Sequence, residues 1–101
     1  MRPFKRAQRV SNEIQKVIAE AIEFDARDPR LRYVTIVRVV TSDDLKHAKV
    51  YYRTLGDKDE ARRGLEHAKG YLRTVVAKKV RMKFTPELTF EYLDILTTDL
   101  L

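Results

Sequence analysis

The sequence predicts a single α+β domain in which a three-stranded sheet packs on helices, in the order α-β-β-α-(kink)-α-β. Three observations support this fold class. Apolar residues recur at three- and four-residue steps in two long segments, and β-branched and aromatic residues dominate three short ones. The 101 residues are enough for one hydrophobic core but not for two, so we expect residues 1–101 to form one domain.

The first element is an amphipathic helix over residues 3–24. Apolar positions such as Val10, Ile14 and Ile18 follow the helical period. Pro3 suits a first helical turn, where its missing N–H group costs nothing. The opposite arc carries several cations close to the start of the helix, where they oppose the helix dipole. Local helix stability therefore gives no reason for these cations.

Two β-branched runs follow, at residues 33–41 and 48–55, and the short turn at residues 42–46 between them predicts an antiparallel hairpin. In the second run, Lys49 and Arg53 alternate with apolar residues. This alternation is typical of a sheet that buries one of its faces.

Helical spacing resumes over residues 61–80, and residues 88–92 alternate as a third strand. Gly70 lies inside this second helical segment and has two interpretations. It is a tolerated glycine where helices pack closely, at a cost of about 1 kcal/mol relative to alanine, or a break that turns N–H groups toward a phosphate. The surrounding cations favour the break. The predicted helix kink therefore comprises Ala68, Lys69 and Gly70.

Positive charge is concentrated in two short segments. The net charge is +6, and residues 1–9 and 67–86 together hold ten of the 21 cations and no carboxylate. Such segregation indicates a polyanionic partner, either nucleic acid or an anionic membrane surface. The candidate RNA-binding residues are Arg2, Lys5, Arg6, Arg9, Lys69, Gly70, Arg73, Lys78, Lys79, Arg81 and Lys83. Among the five tyrosines, Tyr71 beside the predicted break is the candidate for stacking on a base.

Catalysis and metal binding have little support in the sequence. The chain has no cysteine, His47 and His67 lie on different predicted elements, and no zinc-binding, Walker A or GxSxG motif is present. No apolar run exceeds three residues, which argues against a membrane-spanning segment. We expect a cytoplasmic binding protein with no catalytic residues, metal, cofactor, small-molecule substrate or membrane partner.

Five collinear stretches of the chain resemble the bacterial ribosome-binding factor A family. They are RAQRV (6–10), DPRL (28–31), VVTSDDLKHAKVY (39–51), AKGYLR (68–73) and TPELTF (85–90). The resemblance implies a type II KH-like fold in which an interrupted helix, marked here by Ala68-Lys69-Gly70, replaces the usual GxxG loop. The glycines lie at positions 56, 64 and 70, so the chain contains no GxxG sequence.

The family resemblance also implies a function. It predicts a non-catalytic factor that binds the small ribosomal subunit and its rRNA, acts in late maturation and rRNA processing, and is linked to cold adaptation. We expect a monomer. The alternative is a protein-interaction adaptor that uses the hairpin surface without binding RNA, and a small hydrolase is a distant third reading.

Overall fold

The computed structural model describes residues 3–25 and 27–94, in which two long helices pack on one face of a three-stranded sheet. The elements, in chain order, are α1 (Pro3–Glu20), a π-helical turn (Ala21–Asp25), a 3-10 turn (Pro29–Leu31), β1 (Val34–Thr41), β2 (His47–Thr54), α2 (Lys58–Lys79) and β3 (Glu87–Tyr92). The predicted α+β class and the three predicted strands are confirmed, with strand boundaries within one residue of the expected ones.

The sheet has β2 at its centre. β1 pairs with β2 in antiparallel fashion, which confirms the predicted hairpin, and β3 pairs with β2 in parallel. Thr41 lies opposite Ala48, and His47 lies opposite Glu87. The end of β1 and the starts of β2 and β3 therefore share one end of the sheet, which we call the hairpin end.

The hydrophobic core lies between the sheet and the helices. Val50 of β2 and Phe90 of β3 alternate with exposed neighbours and contribute to one buried cluster with Ile14 of α1 and Leu72 of α2. This is the pattern of a sheet that is covered on one side only. The helices also contact one another. Both basic segments of the sequence are consequently carried by a single helical layer and the loops that join it to the sheet.

The second helix is continuous, which corrects the expected division into two helices. The kink expected at Ala68, Lys69 and Gly70 does not interrupt α2, because α-helical structure continues through these positions. One glycine costs a helix only about 1 kcal/mol. Leu65 and Leu72, which are fully buried on either side of it, hold the helix against the core, so packing outweighs the local cost.

The glycine that packs closely is Gly64 and not Gly70. A Cβ atom on Gly64 would lie 2.9 Å from the Cβ of Arg30 and 3.0 Å from the Cδ2 of Leu31, in the 3-10 turn. A Cβ atom on Gly70 would have no neighbour within 4 Å. The packing interpretation of Gly70 is therefore wrong, and the α2 backbone meets the 3-10 turn at Gly64.

The 3-10 turn that packs on Gly64 is held by an ion pair within the turn. Asp28 accepts a hydrogen bond from the backbone N–H of Arg30 at 2.9 Å, and its Oδ2 lies 2.6 Å from the Arg30 Nη2. The hydrogen bonds from the Arg30 side chain and backbone lower the pKa of Asp28 to about 2. The turn therefore presents a fixed surface to α2.

We expect Gly64→Ala to lower the free energy of unfolding by about 1–2 kcal/mol, because the overpacking cost exceeds the gain in helix propensity. Gly70→Ala is the matched control in the same helix, and it should raise the free energy of unfolding by up to about 1 kcal/mol. Urea denaturation followed by circular dichroism measures both. Equal effects of the two substitutions would contradict the assignment of Gly64 as the packing glycine.

Candidate nucleic-acid interface

The start of α1 is anchored to the hairpin end by buried hydroxyl groups. The Thr41 backbone N–H donates to Ser11 Oγ at 2.9 Å, and the Thr41 hydroxyl donates to the Ala7 carbonyl at 2.9 Å. The two hydroxyl oxygens lie 2.6 Å apart, which lets the Ser11 hydroxyl donate to Thr41. Each polar group in this buried cluster has a partner, so the first half of α1 has one defined position against β1.

The α1 cations lie on the exposed side of this anchored segment. Lys5, Arg6 and Arg9 are exposed, whereas Ala7 and Val10 on the other side of the helix are buried. Among the described residues none of the three cations forms an ion pair. Arg2, the fourth candidate of this segment, lies outside the described residues.

The second helix runs antiparallel to β3, and three contacts show this direction. The Lys58 ammonium lies 5.6 Å from the Tyr92 ring centroid, and the Lys69 ammonium lies 5.7 Å from that of Phe90. Further along the helix, Arg73 reaches Glu87 at the start of β3. The last turn of α2 is therefore at the hairpin end of the sheet, beside the loop that leads into β3.

Both basic segments therefore meet at one end of the molecule. We call this surface the basic end and define it by the exposed cations of the first turns of α1, the last turn of α2 and the loop after it. These cations are Lys5, Arg6, Arg9, Lys78, Lys79, Arg81 and Lys83. Within the part of the chain that the structure describes, none of them is paired with a carboxylate. Their charge is available to an external anion.

Lys69 and Arg73 have a different environment. Lys69 pairs with Glu66 at 2.9 Å and Arg73 with Glu87 at 3.8 Å, and Arg73 also donates to the Thr85 carbonyl at 3.4 Å. The two glutamates that bound the acid-free stretch in the sequence thus approach its cations in space. Both cations are half-buried. Within the protein their contacts hold α2 and the following loop against β3.

The β1–β2 turn adds a cation that the sequence analysis missed. Lys46 is exposed in this turn, and its carbonyl accepts a hydrogen bond from the Glu87 N–H at 2.9 Å. No local signal points to Lys46, because its place depends on the parallel pairing of β2 with a strand 40 residues further along.

Acidic residues are also present in the turn, and one of them has a structural role. Asp44 accepts hydrogen bonds from the Ser42 hydroxyl at 2.6 Å and from the Lys46 N–H at 2.9 Å. These two hydrogen bonds lower the pKa of Asp44 below its ordinary value. The carboxylate stabilises the turn, so its presence at the basic end has a local explanation.

The aromatic side chains divide into a core set and an exposed set. Tyr52 and Tyr92 meet edge-on with centroids 5.7 Å apart under α2. Tyr71, the sequence candidate for base stacking, is 46% exposed in the middle of α2. Phe84 is 71% exposed in the loop after α2 and was not among the predicted site residues. The sequence does not predict this exposure, because a phenylalanine two residues before a proline in a loop can equally well be buried.

Two further observations limit the kind of site. The described helices are all too short or too polar to cross a lipid bilayer. Over residues 3–25 and 27–94 there is no group of three or more histidine, cysteine or acidic side chains arranged to hold a metal ion. His47 and His67 are both exposed, on β2 and α2 respectively.

The fold and the basic end define a class of protein: a small α+β protein whose helical layer presents exposed cations at one end of its sheet. The particular family is evident from the sequence, since the model of the family "Ribosome-binding factor A" matches residues 6–98. The chain belongs to the ribosome-binding factor A family.

Several relatives agree with this membership. Ribosome-binding factor A of Caldicellulosiruptor bescii is 43% identical over 95 residues, which cover 87% of this chain and 71% of the relative. That of Geobacter sulfurreducens is 41% identical over 93 residues, covering 88% of this chain and 78% of the relative. The family is one of ribosome-binding factors.

Solved structures show the same fold. The crystal structure of ribosome-binding factor A from Thermus thermophilus has a TM-score of 0.81 at 29% identity, covering 85% of this chain and 93% of that one. The solution structure of a candidate ribosome-binding factor A from Thermotoga maritima has a TM-score of 0.74 at 40% identity, covering 85% of both chains. A Thermus thermophilus homology model fitted into a cryo-EM map of a 30S–RbfA complex has a TM-score of 0.70 at 31% identity, covering 80% of this chain and 88% of that one.

We expect Ser11→Ala to lower the free energy of unfolding by about 1–3 kcal/mol, because it leaves the buried Thr41 N–H without an acceptor. Asn12→Ala, at the exposed neighbouring position, should change it by less than about 0.5 kcal/mol. Thermal and urea unfolding of the two variants provide the comparison. A Ser11→Ala variant as stable as Asn12→Ala would show that the hydroxyl cluster does not anchor α1.

Proposed function

We propose that this chain is an assembly factor that binds the immature small ribosomal subunit through its rRNA. It supports late maturation and rRNA processing and contributes to growth at low temperature. It acts in the cytoplasm as a monomer, by binding and not by catalysis. Its membership of the ribosome-binding factor A family supports the ribosomal partner, as does the relative fitted into a 30S–RbfA complex.

The observation that carries the RNA-binding proposal is the basic end. Seven cations from three chain segments lie at this end of the sheet, and in the described structure none has a carboxylate partner. Lys78 and Lys79 complement the negative end of the α2 dipole. The cations at the start of α1 oppose the α1 dipole, so an external polyanion is the better explanation of their presence.

The cations neutralise phosphates in this proposal. Lysine and arginine contacts to the RNA backbone release counterions, which makes binding strongly dependent on salt. Such contacts fix orientation but carry little sequence information. Recognition would then depend on the shape of an rRNA region that fits between the start of α1 and the end of α2. Lys69 and Arg73 act chiefly as supports, since Glu66 and Glu87 already neutralise part of their charge.

Gly70 supplies a second point of approach along α2. It is exposed, and toward the C-terminus of α2 the small residues Thr74 and Ala77 are exposed on the same face, so the helix backbone is accessible on that side of Gly70. The Thr74 hydroxyl donates to the Gly70 carbonyl at 3.0 Å. Since no intramolecular packing requires Gly70, close approach of the RNA backbone explains why a residue unfavourable to the helix is present.

We expect Lys78→Gln/Lys79→Gln to weaken binding to small ribosomal subunits and to reduce the slope of log affinity against log salt by roughly 1 for each phosphate that is no longer neutralised. The measurement is co-sedimentation with purified subunits over a series of monovalent salt concentrations. Arg27→Gln/Arg32→Gln is the matched control, because these two exposed cations lie around the 3-10 turn, at the end of the sheet away from the hairpin.

Three results separate the hypotheses. A loss confined to the lysine pair supports the basic end as the RNA-binding surface. Equal losses for both pairs would mean that only net charge matters. Salt-insensitive binding that neither pair affects would contradict the proposal and favour the protein-interaction adaptor.

We expect Gly70→Ala to bind small ribosomal subunits more weakly although it folds more stably, and Gly70→Gln to bind more weakly still. Alanine and glutamine are both good helix formers, so the series increases side-chain size without penalising the helix. Parallel measurement of unfolding and co-sedimentation tests this. Wild-type affinity in both variants would remove Gly70 from the interface.

A further inference from the structure

Phe84 is displayed by a loop that is fixed at both ends. Val80 caps α2, with its N–H bonded to the Val76 carbonyl at 2.8 Å, and Val80 and Pro86 are both buried. Between these points the Thr85 carbonyl accepts a hydrogen bond from Arg73. The loop therefore has little freedom to withdraw its tip, and the exposure of Phe84 is a property of the fold.

The Phe84 ring has a cationic environment. The Lys83 ammonium lies 5.5 Å from its centroid, and Phe84 remains 71% exposed. In the described residues no other aromatic ring packs on it. Phe90, six residues later, shows the usual alternative: its ring also has a lysine beside it, Lys69, but the side chain is buried in the core. Phe24 is exposed as well, but among the described residues Phe84 is the exposed ring with a lysine ammonium against it in the loop at the basic end. This combination favours an external contact for Phe84.

The chemistry around Phe84 favours one class of partner. A flat apolar ring with a lysine ammonium against it complements a flat apolar group attached to a polyanion, and an unpaired nucleobase in RNA is such a group. A membrane surface would require a wider apolar face. The other exposed rings do not extend the apolar surface around Phe84, because Phe24 and Tyr33 lie at the opposite end of the sheet and Tyr71 lies in the middle of α2.

We propose that Phe84 stacks on an unpaired base of the bound rRNA, while Lys83 and Arg81 contact the adjacent phosphates. This inference rests on the proposed RNA-binding function and adds to it a residue that selects single-stranded RNA. A base within a duplex is already stacked on its neighbours and offers no free face. The basic end would thus bind at a junction between paired and unpaired rRNA.

The first test is a substitution series read by co-sedimentation with small ribosomal subunits, with all proteins compared at each point of one series of salt concentrations. Phe84→Ala should weaken binding about tenfold, equivalent to about 1.4 kcal/mol, which is within the range for base–aromatic stacking. Phe84→Leu keeps much of the apolar area but has no π face, so it should weaken binding to a similar extent. Phe84→Tyr should bind within about twofold of wild type, because the ring is kept. The salt slope should be the same for all four proteins.

The second test uses the absence of tryptophan from this chain. Phe84→Trp introduces a single indole whose fluorescence should be quenched when small ribosomal subunits are added, after subtraction of the same titration with the wild-type chain. Leu55→Trp is the matched control, since Leu55 is 93% exposed after β2, at the opposite end of the sheet. Its emission should not change.

The outcomes distinguish this inference from the function on which it rests. If Phe84→Ala binds like wild type while Lys78→Gln/Lys79→Gln binds weakly, the basic end stands and the stacking role falls. If Phe84→Leu binds like wild type, the contact is only apolar, as expected for a protein partner, and stacking is excluded. A blue shift of the Phe84→Trp emission with phosphatidylserine–phosphatidylcholine vesicles, without quenching by subunits, would assign the ring to a lipid surface instead. If neither the phenylalanine nor the lysine substitutions affect binding, the proposed function itself is wrong.

Discussion

The rest of the structure depends on how the start of α1 is held against the end of β1. Ser11 and Thr41 are the buried polar residues of the described core, and their hydroxyl groups bond to each other, to the Thr41 N–H and to the Ala7 carbonyl. A shift of α1 by one residue would leave these buried groups unpaired, at about 1–3 kcal/mol each. An apolar contact at the same place would tolerate such a shift more easily, because hydrophobic burial is not directional. The polar cluster therefore specifies the register that places the first turns of α1 at the hairpin end.

The same register determines which helix ends lie at the basic end. The hairpin end brings together the N-terminus of α1 and the C-terminus of α2, whose dipoles have opposite signs. Lys78 and Lys79 are stabilised there by the α2 dipole. Lys5 and Arg6 are not stabilised by α1, which has no acidic residue in its first turn to offset them. Helix stability thus explains Lys78 and Lys79 but not Lys5 and Arg6, and the proposed polyanionic partner would explain those two. Glu87 pairs with Arg73 and so ties α2 to the start of β3, and within the described residues it leaves the seven cations of the basic end without a carboxylate partner.

The sequence predicted the elements better than their contacts. Helical and strand periodicities are local, so both helices, the hairpin and the third strand were predictable from apolar spacing. The parallel pairing of β3 with β2 was not predictable, since it joins segments 40 residues apart. The position of Lys46 beside β3 and the ion-pair partners of Lys69 and Arg73 were therefore not predictable either. The two α2 glycines illustrate the same limit. Gly64 and Gly70 are equivalent as letters in a helical pattern, yet one lies against the 3-10 turn and the other has open space around it. Only the position of Arg30 and Leu31 in three dimensions distinguishes them. The break at Gly70, which the surrounding cations favoured, is wrong because the burial of Leu65 and Leu72 keeps the helix continuous, and that burial depends on contacts with the rest of the core.

Three features that packing does not explain are consistent with the same kind of partner. The cations in the first turns of α1 oppose the helix dipole. Gly70 lowers the stability of α2, although no other part of the described chain packs closely against it. Phe84 exposes a large aromatic ring to water. Each is unfavourable to the isolated protein, and all belong to the helical layer or to the loop that joins it to the hairpin end. Natural sequences are locally consistent except where function requires otherwise, so deviations that cluster indicate a site more strongly than any one of them does. Each deviation also matches a different part of a single ligand. The cations suit phosphates, the glycine suits close approach of a backbone, and the exposed ring suits an unpaired base. A protein partner would explain the ring but not the unpaired cations, and a membrane would explain the cations but not the glycine. The proposed RNA partner would account for all three with one mode of binding.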